Sequence, residues 1–167
     1  MIKTLYRRRS GCRAGLSFDY HDSVSTTTYT YDSMDRLSSK ATPEGTLSYT
    51  YDAAGNLASM QSADGAVNVS YAWNSLNLLE QVTDSRLGTT SYQYDTANNL
   101  STMTYPNQVQ STFTYDKLNR VSGAASGSSA YAYQRGPTGN LTSALESSNR
   151  NITWSFDGIY RLTGETI

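Results

Sequence analysis

The chain has 167 residues and a formal net charge of −1 at pH 7, enough length for one domain with a core of its own. Leu, Ile, Val and Phe are scarce, but disorder by composition also needs a high net charge, and fourteen tyrosines bring broad rings with polar tips. Disorder is therefore excluded, and so is a membrane span, because no apolar run approaches roughly 18 residues.

In chain order, Lys3, Arg7, Arg8, Arg9 and Arg13 precede the first acidic residue, Asp19. Residues 1–17 read as a basic, poorly patterned leader. No secretory signal is visible, since Leu16-Ser17-Phe18-Asp19-Tyr20 turns polar where an apolar h-region would follow. Thirteen basic residues less those five leave 8 against 14 acidic ones in the rest of the chain, a balance that repels a nucleic-acid backbone. Cys12 and His21 each stand alone, so the sequence holds neither an internal disulfide nor a zinc site.

From residue 18 onward one phrase recurs: aromatic, any residue, aromatic, Asp, two residues, Gly or Asn, polar, Leu. Tyr49-Thr50-Tyr51-Asp52-Ala53-Ala54-Gly55-Asn56-Leu57 is the cleanest copy. Tyr29-Thr30-Tyr31-Asp32 runs on to Leu37, Tyr92-Gln93-Tyr94-Asp95 to Asn98 and Leu100, and Phe113-Thr114-Tyr115-Asp116 to Asn119 and Val121. Looser copies start at Tyr71 (with Trp73 and Leu79) and at Trp154 (with Phe156, Asp157 and Leu162). Tyr131-Ala132-Tyr133 reaches Gly139 and Leu141 only after two extra residues. First aromatics at 29, 49, 71, 92, 113, 131 and 154 set a period near 20. Such a period describes a stacked array in which no unit buries its own apolar face.

Each copy predicts a hairpin. Residues two apart share a strand face, so Tyr49 and Tyr51 point together. Asp52 ends the strand and accepts hydrogen bonds from the turn's N–H groups. Gly55, or Asp35, Asn77, Asn98 and Asn119 elsewhere, tolerates positive φ, as a three-residue hairpin loop requires. That loop places Asp52 opposite Asn56 and Tyr51 opposite Leu57, and strict alternation then puts Tyr49 opposite Ser59. By the same count the first aromatics meet Ser39, Gln81, Thr102, Gly123 and Gly164. Variable turns separate the copies at Pro43-Glu44-Gly45, Ala63-Asp64-Gly65, Arg86-Leu87-Gly88, Pro106-Asn107 and Ser126-Gly127-Ser128. The fold class is all-β: about 14 strands in a meandering antiparallel strip, ~65 Å long at ~4.8 Å per strand, that twists and curls. Its edge strands are expected near Ser25–Tyr31 and Trp154–Ile167, open to edge-to-edge self-association.

The phrase resembles the YD repeat of the RHS/YD family, whose members include Rhs polymorphic toxins, shell components of insecticidal toxin complexes, wall-associated proteins and teneurins. The resemblance spans residues 18–167, with close copies from 29 to 121. It implies a β-strip that walls a hollow cocoon, enclosing or guiding a polypeptide (toxin) cargo. It also implies a bacterial, secreted or cell-surface setting, with the rest of a larger YD-repeat chain as partner. No Asp-Pro occurs, so neither a self-cleaving core motif nor a toxin domain carries over. Seven repeats make a section of wall.

The residues singled out are the repeat-defining ones named above, from Tyr31 and Asp32 to Asp157 and Leu162. Asp32, Asp52, Asp95, Asp116 and Asp157 could pair as glycosidase carboxylates, but each begins a turn that needs such a residue. Trp73 and Trp154 could stack on a glycan, yet the same rings fit the repeat's core positions. The sequons at Asn68, Asn99, Asn140 and Asn151 include two that are by-products of the Asn-Leu step. No catalytic set, cofactor motif or metal-ligand spacing is present. The sequence thus reads as a non-enzymatic shell segment, the alternative being a surface-adhesion or carbohydrate-binding module.

Overall fold

The computed structural model describes residues 26–167 in full and residues 6–8 and 17–21 as backbone. Most of the basic leader and Cys12 lie outside the described residues, as does the His21 side chain. The elements are β1 (Tyr6–Arg8), β2 (Ser17–His21), β3 (Thr26–Tyr31), β4 (Leu37–Thr42), β5 (Gly45–Tyr51), β6 (Leu57–Ser62), β7 (Asn68–Trp73) and β8 (Leu79–Asp84). They continue as β9 (Gly88–Tyr94), β10 (Leu100–Thr104), β11 (Gln110–Tyr115), β12 (Val121–Ser126), β13 (Ser129–Arg135), β14 (Leu141–Glu146), β15 (Asn151–Phe156) and β16 (Leu162–Thr166). The fold is an all-β antiparallel meander, and its fourteen strands from β3 onward fall two to a repeat. Residues 1–89 and 90–167 form two compact units, and within each, strands adjacent in sequence are adjacent in the sheet.

The fixed turn holds the register that the sequence predicts at its mouth. Tyr31 pairs with Leu37, Tyr51 with Leu57, Trp73 with Leu79, Tyr94 with Leu100, Tyr115 with Val121 and Phe156 with Leu162. One step farther the expectation fails in every hairpin, because each carries a bulge on its returning strand. Tyr49 pairs with Met60 and Thr50 with Ser59. Likewise Tyr29 meets Lys40, Tyr71 meets Val82, Tyr92 meets Met103, Phe113 meets Ala124 and Trp154 meets Glu165. The small residues expected under the rings lie on the opposite face, where Thr30 and Ser39 join Oγ atoms at 2.7 Å and Thr50 and Ser59 at 2.6 Å. The physical reason is burial. An extra residue lets Leu57 and Met60, three apart, share the ring face, which a strict period of two forbids. Aromatic–aliphatic pairs of this kind contribute roughly 0.2–1 kcal/mol each.

The sixth repeat is phased differently from the expectation. Tyr133 pairs with Ala144 and Arg135 with Leu141, so Tyr133 takes the first aromatic's place and Arg135 the second's. Gly136 stands where the other turns have Asp or Asn, and Gly139 keeps the positive-φ position at 92°. Tyr131 lies two residues up the same strand, opposite Ala124 and Glu146. No residues are inserted in the turn. With Tyr133 as the marker, first aromatics fall 20 to 22 residues apart throughout.

The expected edge at Ser25–Tyr31 is also corrected. β3 pairs with β2 through Phe18–Tyr29, Asp19–Thr28, Tyr20–Thr27 and His21–Thr26, and β2 pairs with β1. The strand-like alternation of Phe18 and Tyr20 extends the meander past the first full copy of the phrase. β16 pairs with β15 alone among the described residues.

Candidate functional site

The chemistry of the chain is concentrated in its fixed turns. In each, the backbone N–H of the positive-φ residue donates to the carbonyl of the turn's first residue, as Gly55 does to Asp52 at 3.1 Å. The first residue's carboxylate then clamps the loop. Asp116 Oδ1 accepts from the N–H groups of Leu118 at 2.8 Å and Arg120 at 3.1 Å, while Oδ2 accepts from Arg120 Nε at 2.7 Å. Asp32 and Arg36, and Asp157 and Arg161, repeat that geometry. Asp52 and Asp95 hold Asn56 and Asn99 through backbone and side-chain amides instead. Asn74 does the same work in the third repeat, accepting from the N–H groups of Leu76 and Leu78.

These bonds favour the ionised carboxylates. The Arg120 side chain, then its backbone N–H, hold Asp116 down at about 2. The Asn56 and Asn99 side-chain amides lower Asp52 and Asp95. The backbone N–H groups of Arg36 and Arg161, then their guanidinium groups, lower Asp32 and Asp157. A general acid would need the opposite shift. Five clamped carboxylates, one to a turn, cap their turns. Among the described residues no group of three or more His, Cys, Asp and Glu could hold a metal ion.

Neighbouring turns touch through their last and positive-φ residues. Asn56 Nδ2 donates to Asn77 Oδ1 at 2.9 Å, and Asn99 Nδ2 to Asn119 Oδ1 at 3.0 Å. Where the earlier turn ends in arginine, the next has glycine. A Cβ on Gly55 would lie 3.8 Å from Arg36 Nη1, and one on Gly139 only 2.9 Å from Arg120 Nη1. The Arg36 guanidinium also covers the Tyr51 ring, 4.4 Å from its centroid. A Cβ would thus be in ordinary contact at Gly55, whereas at Gly139 the Arg120 guanidinium would have to give way. Tyr160, at φ 66°, follows Asn140 and forms neither kind of contact pair. Sequence reasoning missed Tyr160, and with it Gln108 at 65° and Asn149 at 66° in the variable turns.

In repeats two, three and five the second aromatic ties the repeat to the one before it. Tyr51 OH donates to the Leu37 carbonyl at 2.9 Å, Trp73 Nε1 to Leu57 at 2.8 Å, and Tyr115 OH to Leu100 at 2.9 Å. The backbone ladder between repeats stops short of those carbonyls, as β4–β5 does at Ser39–Ser48. The polar tip of the ring satisfies the group that the ladder leaves.

Both tryptophans are half-buried and engaged, Trp73 as above and Trp154 through Nε1 to Glu165 Oε2 at 2.8 Å. Tyr131 and Tyr133 stack, parallel within 4° with centroids 6.3 Å apart, and Tyr160 stands 59% exposed in the last fixed turn. Tyr131 is 41% exposed and faces Phe113 across an apolar slot of about 140 Å³ floored by Ala124. Asn99, a sequon asparagine, spends its amide on Asp95 and Asn119. No helix of the described residues is long and apolar enough to cross a membrane.

Residues 17–131 match the family described as Teneurin YD-shell. No curated protein matches the chain. Among solved structures, the TcdB2–TccC3–TEV crystal structure is similar over 91% of this chain at 18% identity and a TM-score of 0.66. TcdB2–TccC3 without its hypervariable C-terminal region is similar over 92% at 16% identity and 0.65. The Tc holotoxin pore of Photorhabdus luminescens, carrying a TccC3 mutation, is similar over 90% at 17% identity and 0.63. The chain spans less than a tenth of each of those chains, 8%, 9% and 9% respectively.

Proposed function

The chain belongs to the Teneurin YD-shell family, and we propose that it is a non-enzymatic section of shell wall whose ring face holds or guides an enclosed polypeptide. One observation supports this most. No side chain among the described residues is fully buried, and eleven large hydrophobic ones are exposed, Leu87 and Leu118 among them. Rings and aliphatic side chains arranged on one sheet face, with this much surface open, suit a wall that contacts something else. The partners are the remainder of a larger YD-repeat chain and the polypeptide within, in a secreted or surface-displayed bacterial assembly.

The test is binding of a permanently unfolded polypeptide, such as a reduced and carboxymethylated protein, to the purified chain. Micromolar binding that weakens with Tyr49→Ser and Phe113→Ser, on the ring face, is the expected result. Binding unaffected by both changes would overturn it.

The exposed ring of Tyr131, 41% open, favours a second reading, a carbohydrate-binding module, since an exposed aromatic face packs against a sugar's C–H face. Glycan binding that is lost with Tyr131→Ala, Trp73→Ala or Trp154→Ala would move the assignment there.

A further inference from the structure

The turn of the seventh repeat is built like those of the first and fifth but lacks what covers them. Arg161 Nε is held by Asp157 Oδ2 at 2.7 Å, as Arg36 and Arg120 are held by their aspartates. The guanidinium is thus already oriented. Its side chain is 76% exposed, against 26% for Arg36 and 34% for Arg120. Leu162 is 57% exposed, whereas Leu37, Leu57 and Leu100 are half-buried beneath the aromatic residue of the following repeat. All five residues of β16 are exposed, and its outer row of backbone groups faces no strand among the described residues.

We propose that this edge docks one further hairpin of the same repeat class, and that Arg161 selects a hairpin with glycine at its positive-φ turn position. The proposal rests on the shell reading, because the partner is another repeat of the strip. The occupant is argued from matched junctions within the chain. Both arginine-ended turns whose neighbour lies in the same unit are followed by glycine, at Gly55 and Gly139. The two asparagine-ended turns that make an amide–amide bond are followed by asparagine, at Asn77 and Asn119. An asparagine side chain opposite Arg161 would compete for the space that the Arg120 guanidinium takes over Gly139, where a Cβ alone comes to 2.9 Å, and that Arg36 borders at 3.8 Å over Gly55. The docking hairpin would also bring an aromatic residue to cover Leu162 and donate to its carbonyl, as Tyr115 does to Leu100.

The experiment extends the full chain past Ile167 with a second copy of residues 43–62. Leu162 to Ile167 align with Leu37 to Thr42, so the added hairpin enters in the register it has on β4. Amide hydrogen exchange of β16 is compared between this copy and one carrying Gly55→Asn, each in the native host and in an Arg161→Asn host. In the native host the glycine copy should slow β16 exchange at least about tenfold more than the asparagine copy, since local opening governs edge amides. In the Arg161→Asn host that order should reverse, as the amide pair of Asn56 with Asn77 becomes available. Equal protection by both copies in the native host, or protection by neither, would overturn the proposal. So would concentration-dependent protection of the unextended chain, which would make a second copy the occupant. No unfolded polypeptide enters this experiment, so its failure and the failure of the shell reading are separately visible.

Discussion

Repeats five and seven share one turn chemistry and differ in what lies beside them. Asp116 and Arg120 clamp one turn, Asp157 and Arg161 the other, with Nε to Oδ2 distances of 2.7 Å in both. Beside repeat five, Gly139 lies against Arg120. Beside repeat seven no strand among the described residues covers Arg161 or Leu162. The hairpin is thus a local product of its own residues, whereas burial is supplied by the neighbour. This is the nearest-neighbour energetics expected of a repeat array.

The largest effect should come from breaking a junction. Gly139→Val places a β-branched residue at φ 92° and drives its Cβ toward Arg120, which should cost about 2 kcal/mol and lower the melting temperature. Adding Arg120→Ala should recover the steric part and leave the backbone strain. If Gly139→Val melts like the wild type, repeats five and six are not matched through their turns.

Next in size is the aromatic tie. Tyr115→Phe removes the donor to the Leu100 carbonyl and should cost about 1 kcal/mol by denaturant unfolding. Repeat seven already has Phe156 at that place, so Phe156→Tyr should stabilise by a similar or smaller amount if the Leu141 carbonyl accepts in the same way. Opposite signs for these two single-oxygen changes would sharpen the comparison. The same sign would break it.

The clamps give a pH signature. Asp116 is held at about 2, below its ordinary value near 3.8, so the turn's contribution is complete above the unfolded value and falls as pH drops through about 2. Asp157 is also lowered, so both turns should weaken on acidification below about pH 4. Asp116→Asn should shrink the acid loss of stability measured by thermal melts between those pH values. An unchanged acid limb would mean that Asp116 does not titrate in the folded turn as its bonds require.

The smallest effect is expected at Tyr160. A tyrosine at φ 66° is strained, so Tyr160→Gly should raise stability by a few tenths of a kcal/mol, the relief being partly offset by a more flexible unfolded chain. The glycine substitution therefore helps repeat seven, whereas loss of glycine harms repeat six. A destabilised Tyr160→Gly would mean that the ring makes contacts beyond those at its own turn.

Much of the molecule follows from residue type at short range. Tyr-x-Tyr followed by Asp, two residues and a glycine or asparagine determines strand, cap, turn and the first cross-strand pair, because each step depends on neighbours within about six positions. The bulge was less legible. Its signal, Leu57 with Met60 and Leu100 with Met103 at a spacing of three, is present in the sequence, but alternation within a strand points to Ser59 and Thr102 instead. The true phase of repeat six was hidden because Arg135 and Gly136 replace the aromatic and the aspartate, and only the pairing of Tyr133 with Ala144 reveals it. What the sequence alone could not decide is which turn touches which. Gly55 and Asn98 are equivalent by their positive φ. They differ because one lies under the guanidinium of a residue nineteen positions earlier, a contact made only once the strands lie side by side. The local chain determines the hairpin, and the sheet decides which hairpins fit together.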